Sequence, residues 1–185
     1  MDTRNLKIQS LQFKAGALSK TEFFETIWHS HGKKISFYIN RLLLNGRQNN
    51  EDLFQEIMLK IFNNLEQYNP LYSLNTWVYK IVRHHCIDYM KKKTLTVDTD
   101  NPVDIPITRD NPELQYLKDE MIKEVEEAMN SLTVNERELA FLRLYENMKF
   151  HAISEIMDEN INTLKTRMKK IKGMLKAELK EYYHE

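Results

Sequence analysis

At 185 residues the chain has room for one ordinary domain or two small ones, and its formal net charge is zero. Four glycines and four prolines give too few turn signals for an all-β fold. The only cysteine, Cys86, excludes an intramolecular disulfide and reads as a small buried hydrophobe. No apolar run reaches transmembrane length.

Leu, Met, Lys, Glu and Ile dominate, and all are good to fair helix formers, so an all-α protein is expected. The zero net charge hides an uneven distribution. Residues 1–95 hold 14 Lys/Arg against 8 Asp/Glu (net +6), residues 96–145 hold 5 against 12 (net −7), and residues 146–185 hold 8 against 7 (net +1). Within 161–176 there are six basic residues and no acid. Two basic surfaces therefore flank an acidic middle, and it is local field rather than total charge that sets phosphate affinity.

In chain order, residues 1–18 are polar and mixed and read as a loosely held N-terminal arm. From Thr21 to about Asn45, Phe24, Ile27, Trp28, Ile35, Tyr38, Ile39, Leu42 and Leu43 recur at helical spacing, with an irregularity expected near Gly32. Asn45-Gly46 closes that helix. Asp52 to Leu65 is a second amphipathic helix, with Leu53, Ile57, Ile61 and Leu65 on one stripe and Asn50 or Glu51 just before it. Tyr68 to Ser73 forms a Pro-containing loop. Ser73 or Asn75 can cap a third helix over Thr76–Lys93.

That third helix is predicted to bury Val78, Val82, His85, Cys86 and Tyr89 and to gather Trp77, Lys80, Arg83, His84 and Lys91 on its other side. An aromatic ring beside several cations suits unstacked bases on a phosphate backbone. Trp77 as a core anchor is the plainer alternative. His84 and His85 are adjacent, and neighbouring helix positions do not face one another, so a shared metal site is not expected. His29 and His31 have the same difficulty, with no Cys or carboxylate cluster nearby.

Residues 94–112 hold Asp98, Asp100, Asp104, Asp110 and three of the four prolines, with no amphipathic period, and read as a flexible linker. A helix follows from Glu113 through Met129. Thr133 and Glu136 form a capping box ahead of a helix to about Tyr145. Phe150–Met157 is a short helix and Asp158-Glu159-Asn160 a turn. Asn160 caps a long final helix that is apolar at Ile161, Leu164, Met168, Ile171 and Leu175.

A short helix, a three-residue polar turn and a capped basic helix make a helix-turn-helix. In that geometry the first residues of the second helix meet base edges. Asn162, Thr163, Thr166 and Arg167 are the candidates, with Arg167 the candidate for bidentate guanine reading. Lys165, Lys169, Lys170 and Lys172 suit phosphates. The sequence shows no Gly-rich phosphate loop, nucleophile motif or acid–base pair, so no catalytic residue, cofactor, metal or small-molecule substrate is expected. The absence of a secretory h-region makes a cytoplasmic chain the expectation.

Three segments carry a family resemblance. DLFQEIMLKIF, WVYKIVRHHCIDYMKKK and LTVNERELAFLRLYENMKFHAISEIMDENINTLKTRMKKIKGML, in this order, resemble the extracytoplasmic-function sigma factors of the sigma-70 family. The likeness spans roughly Thr21 to Leu179. It implies a region 2 domain over 19–93, a linker over 94–112 and a region 4 domain over 113–185. It also implies core RNA polymerase (clamp helices and flap) and promoter DNA as partners, with an anti-sigma factor that could hold the chain at the inner membrane face.

By the resemblance, Asp52, Gln55 and Glu56 dock on the polymerase clamp helices. Leu71, Tyr72, Ser73, Leu74 and Asn75 capture a flipped minus-ten base, and Trp77, Lys80, Arg83, His84 and Lys91 read and separate the minus-ten strands. The minus-thirty-five element falls to Thr163, Lys165, Thr166, Arg167 and Lys170. The chain departs from the family pattern at His84 (commonly Asn), Lys149 (a usual Ser cap, worth roughly 1 kcal/mol) and Asp158 (a usual turn Gly). A polymerase-independent helix-turn-helix regulator is the alternative reading.

Overall fold

The computed structural model describes residues 3–43, 47–96, 128–129 and 131–180. These fall into two compact units: residues 3–96 belong to the first, and those from 128 onward, Glu155–Asp158 apart, to the second. Every regular element among the described residues is helical, as the composition predicts. The first three residues of the expected 94–112 linker instead continue the helix that ends at Thr96, while its remainder, the Asn45-Gly46 stop and most of the helix beginning at Glu113 lie outside the described residues.

The first unit contains helices α1 (Thr3–Lys14), α2 (Lys20–Leu43), α3 (Arg47–Asn64) and α4 (Leu74–Thr96), with a 3-10 turn (Leu65–Gln67) and a loop leading from α3 to α4. Helices α2, α3 and α4 pack against one another in pairs. Their shared core holds Ile27, Ile35, Tyr38 and Ile39 from α2, Leu53, Ile57 and Ile61 from α3, and Val78, Tyr79, Val82 and Cys86 from α4. On α3 and α4 these follow the spacing of four that puts side chains on one stripe. Each such buried apolar side chain contributes roughly 1.5–3 kcal/mol. Tyr38 and Tyr79 meet edge to face across α2 and α4, their centroids 5.4 Å apart.

The described part of the expected N-terminal arm, residues 3–18, is not loose. Helix α1 packs on α2 through buried Leu6 and Ser10, and Phe13 stacks on Phe23 at 5.0 Å. Ser10 tolerates burial because its hydroxyl donates to the Lys7 carbonyl at 2.7 Å. The helix ends in a Schellman motif. Gly16 takes φ +73°, its N–H donates to the Phe13 carbonyl, and the Ala17 N–H donates to that of Gln12. Helix α2 then begins with a second capping box: Ser19 Oγ accepts from the Glu22 N–H, and the Glu22 carboxylate accepts from the Ser19 N–H. The Ser19 hydroxyl, which donates to the same carboxylate at 2.6 Å, and then the Ser19 N–H hold the Glu22 carboxyl below its ordinary value.

Helix α2 runs unbroken through Gly32, which is buried beside Phe54 of α3. The expected irregularity is absent, and a Cβ at this position would meet Phe54 only at an ordinary contact distance of 4.0 Å. Helix α3 starts five residues before Asp52, at Arg47. Asn50 does not cap it: the side chain is buried and its amide donates to Asn40 Oδ1 of α2 at 2.7 Å.

The second unit contains α5 (Val134–Ala140), a π-helical turn (Phe141–Tyr145), the first part of α6 (Phe150–Met157), up to Ser154, and α7 (Ile161–Lys180). The capping box at Thr133 and Glu136 is present in both directions. Leu139, Leu142, Ile153, Leu164, Met168 and Ile171 form its core. After the π-helical turn, the Arg143 guanidinium lies 5.1 Å from the Phe150 ring centroid and donates to the Met148 carbonyl at 2.7 Å, which braces the connection into α6.

Candidate nucleic-acid interface

The first surface rises from α3, the loop behind it and α4. On α3, Asp52, Gln55, Glu56 and Leu59 are all exposed, at positions i, i+3, i+4 and i+7, and so form one outward stripe. Leu59 is 60% exposed, yet in the sequence it reads as one more apolar helix residue. Glu56 Oε2 lies 3.1 Å from His85 Nε2 of α4. His85 is half-buried and tied to that carboxylate, which explains why it sits at the edge of the core rather than inside it.

Asn69 builds the loop. Its side-chain oxygen accepts from the Leu71 N–H at 3.0 Å and its carbonyl from the Tyr72 N–H at 3.1 Å. Tyr68, buried beneath, donates its hydroxyl to the Tyr72 carbonyl at 2.8 Å. That turn lifts Leu71 and Tyr72 into solvent, 84% and 70% exposed. The next two residues differ from the expectation for the base-capturing loop. Leu74 is buried in the core, and the Asn75 amide oxygen is engaged by His31 Nε2 at 2.9 Å. His31 is itself buried and held by Ser30, so it is a packing histidine.

Helix α4 starts at Leu74, with Ser73 Oγ accepting from the Thr76 N–H. Trp77 is half-buried, its ring 5.2 Å from that of Tyr68. The ring is anchored against Tyr68 and the side chain still reaches the surface. Lys80, His84 and Lys91 are exposed on the same stripe, and Arg83 is half-buried beside them. Asp88, also exposed, falls on that stripe between His84 and Lys91, an acidic break in the basic face that the sequence reading overlooks.

The second surface is the helix-turn-helix. Asp158 adopts φ +56°, the left-handed value its turn requires and Asp tolerates better than most residues. Ser154 Oγ donates to the Glu159 carbonyl at 2.6 Å, and the Asn162 N–H donates to Asn160 Oδ1 at 2.8 Å, the expected cap. Leu164, Met168 and Ile171 of α7 face inward, while Asn162, Thr163, Lys165, Thr166, Lys169, Lys170 and Lys172 face solvent.

Arg167 departs from its expected role. It is half-buried, and both terminal nitrogens bind Glu159, Nη1 to Oε1 at 2.9 Å and Nη2 to Oε2 at 2.7 Å. Glu159 raises the Arg167 pKa above its ordinary value. The fork that would read guanine is already occupied, because Glu159 lies in the turn directly behind it. Lys170 is also paired: its ammonium lies 3.1 Å from Glu136 Oε1. The Glu136 carboxyl is held below its ordinary range, first by the Thr133 N–H and hydroxyl and then by Lys170. Glu136, Asn162, Thr163, Thr166, Arg167 and Lys170 line a groove of about 560 Å³.

Among the described residues no cluster of His, Cys, Asp or Glu could hold a metal ion, and no helix is long and apolar enough to cross a membrane.

Comparison with known proteins agrees with this architecture. Residues 27–96 match the sigma-70 region 2 family. The chain is 28% identical to RNA polymerase sigma factor SigV of Bacillus subtilis over 131 residues, which cover 69% of this chain and 74% of the relative. It is 22% identical to the ECF RNA polymerase sigma-E factor of Haemophilus influenzae, over 84% of this chain and 87% of the relative. Among solved structures, RpoE of Bartonella quintana, determined with the anti-sigma factor NepR, superposes with a TM-score of 0.68 at 19% identity, covering 85% of this chain and 96% of that one. CnrH, determined with the cytosolic domain of CnrY, gives 0.65 at 15% identity, covering 97% of both chains. The protein is a two-unit helical sigma-type fold. Within it, residues 27–96 are similar to sigma-70 region 2, and the chain is similar over most of its length to extracytoplasmic-function sigma factors.

Proposed function

We propose that this chain is a sigma factor that binds core RNA polymerase and directs promoter recognition, strand opening and transcription initiation. The observation that carries this reading is the sigma-70 region 2 match over 27–96 in a chain whose other unit is a helix-turn-helix. The outward stripe of Asp52, Gln55 and Glu56 supports docking on the polymerase clamp helices. Leu71, Tyr72 and Ser73, beside Trp77, Lys80, Arg83, His84 and Lys91, support capture of minus-ten bases. Leu74 and Asn75 instead hold the base of that loop. The exposed face of α7 supports contact with the minus-thirty-five duplex.

No bond is made or broken in this mechanism. Contacts on α7 fix the position of the complex, and contacts at Trp77 favour the opened strands, which offsets a few kcal/mol of unstacking, roughly. Such trapping shifts the closed–open equilibrium only through its preference for the open form. A 19–93 domain, a 94–112 linker and a 113–185 domain would set the spacing between the two promoter elements. Similar structures determined with anti-sigma factors support a partner of that kind here, and a chain with this function would act in the cytoplasm.

Run-off transcription with core polymerase on a genomic fragment library tests the proposal. Promoter-specific transcripts that depend on this chain are expected. A chain that binds duplex DNA but neither associates with core polymerase nor supports transcription would be a helix-turn-helix regulator instead.

A further inference from the structure

We propose that Glu136 is a specificity-determining positioning residue, which holds Lys170 on the reading face of α7 so that its ammonium meets guanine in the major groove rather than a phosphate. The inference rests on the proposed promoter-binding role. Glu136 is 7% exposed, and each oxygen of its carboxylate is engaged. Oε2 accepts the Thr133 N–H at 3.0 Å and the Thr133 hydroxyl at 2.8 Å, while Oε1 accepts the Lys170 ammonium at 3.1 Å. The carboxylate is thus fixed by the start of a different helix, and the flexible partner in the pair is Lys170, whose side chain is 66% exposed.

Removing Lys170 from this pair would leave a nearly buried charge with only its cap donors, which is strongly unfavourable. The pair therefore persists when DNA binds. A paired ammonium has little net charge to offer a phosphate, but it keeps two further N–H donors that point away from Glu136. Guanine N7 and O6 are adjacent acceptors on the major-groove edge, matching two donors on one head group. Arg167 cannot take that role while Glu159 holds both its terminal nitrogens. Lys169, on the same helix, is exposed and shows no ion pair among the described residues, which is the arrangement a phosphate contact needs.

The test uses the full-length chain assembled with core polymerase and a duplex pool randomised across the upstream promoter segment. Wild type should select guanine at one position. Glu136→Gln keeps a residue that serves at this cap position but releases Lys170. That variant should lose the guanine preference by roughly 5- to 100-fold. Its salt dependence should steepen by about 0.9 log units per log of salt, the increment that one additional neutralised phosphate brings. Lys170→Gln should lose the same preference with its salt slope unchanged.

Lys169→Gln should keep the preference and flatten the slope by about 0.9. Should Glu136→Gln fail to fold, the two lysine variants still decide. A flattened slope with intact guanine preference in Lys170→Gln overturns the inference, as does unchanged selection and slope in a folded Glu136→Gln. A wild-type chain that does not assemble with polymerase would instead refute the sigma-factor reading, and the inference with it.

Discussion

The loop at the start of α4 and the face of α7 present side chains in opposite ways. At the loop, neighbours in sequence are separated by the backbone: Asn69 turns Leu71 and Tyr72 outward, while the core takes Leu74 and His31 takes Asn75. On α7 the backbone is regular and every face is readable from the period, but acids on other elements select among the cations. Glu159 holds Arg167 and Glu136 holds Lys170. A helical wheel says which way a residue faces, and only the fold says what it already touches.

The largest test of this contrast concerns the scaffolds. Ile57→Ala and Leu164→Ala each remove a side chain with no solvent exposure. Each should cost roughly 2–5 kcal/mol, read by denaturant unfolding. Ile57→Ala should disturb Trp77 fluorescence before DNA contacts on α7, and Leu164→Ala the reverse. Identical loss of both readouts in both variants would mean that the two surfaces share one scaffold.

Next in size is Trp77→Ala. Base stacking on an aromatic is worth roughly 1–3 kcal/mol. Promoter opening should therefore weaken by that amount, with closed binding nearly intact. Permanganate footprints that match wild type would make the ring a plain anchor against Tyr68, which it contacts at 5.2 Å.

Much of this molecule is legible in its sequence. The period of four on α3 and α4, the Thr133/Glu136 box, the Phe150–Met157 helix and the Asn160 cap all follow from local chemistry, because caps and stripes act within one turn of their own residues. Helix α1 escapes a sequence reading for want of an apolar stripe: its inward face uses Ser10 beside Leu6 and Phe13, and Ile8 and Leu11 point outward. Gly16 followed by Ser19-Lys20-Thr21-Glu22 is the available signal, a helix stop and then a capping box. The roles of Arg167 and Lys170 are not legible, since each depends on a carboxylate placed by the turn or by another helix.

Arg167→Ala sharpens that point. As the strut to Glu159, Arg167 should contribute about 1–2 kcal/mol to the stability of the second unit, the low range for a partly exposed charge-assisted pair. Affinity should then fall evenly across DNA sequences, as measured by anisotropy on selected and scrambled duplexes. A loss confined to one base position would return Arg167 to direct reading. On the other surface, Gln55→Ala with Glu56→Ala should weaken polymerase association by about 1 kcal/mol, typical of exposed interface residues. Undiminished association would remove that stripe from the docking face.

The smallest effect is also the most local. The Glu136 carboxyl is held below its ordinary value near 4.5 by donors that favour its charged form. Its folded pKa is depressed, so the stabilisation is complete above the unfolded value and is lost as pH falls through the folded one. Thr133→Ala removes one of those donors and the hydroxyl that caps the Glu136 N–H. It should cost about 0.5–1 kcal/mol at neutral pH, and the deficit should shrink as pH drops below about 4.5 and the wild-type carboxyl protonates. A deficit that stays constant with pH would assign the cap to the hydroxyl accepting the Glu136 N–H alone. The carboxylate would then be free of the cap and held in place by Lys170, which reverses the direction of control between the two residues.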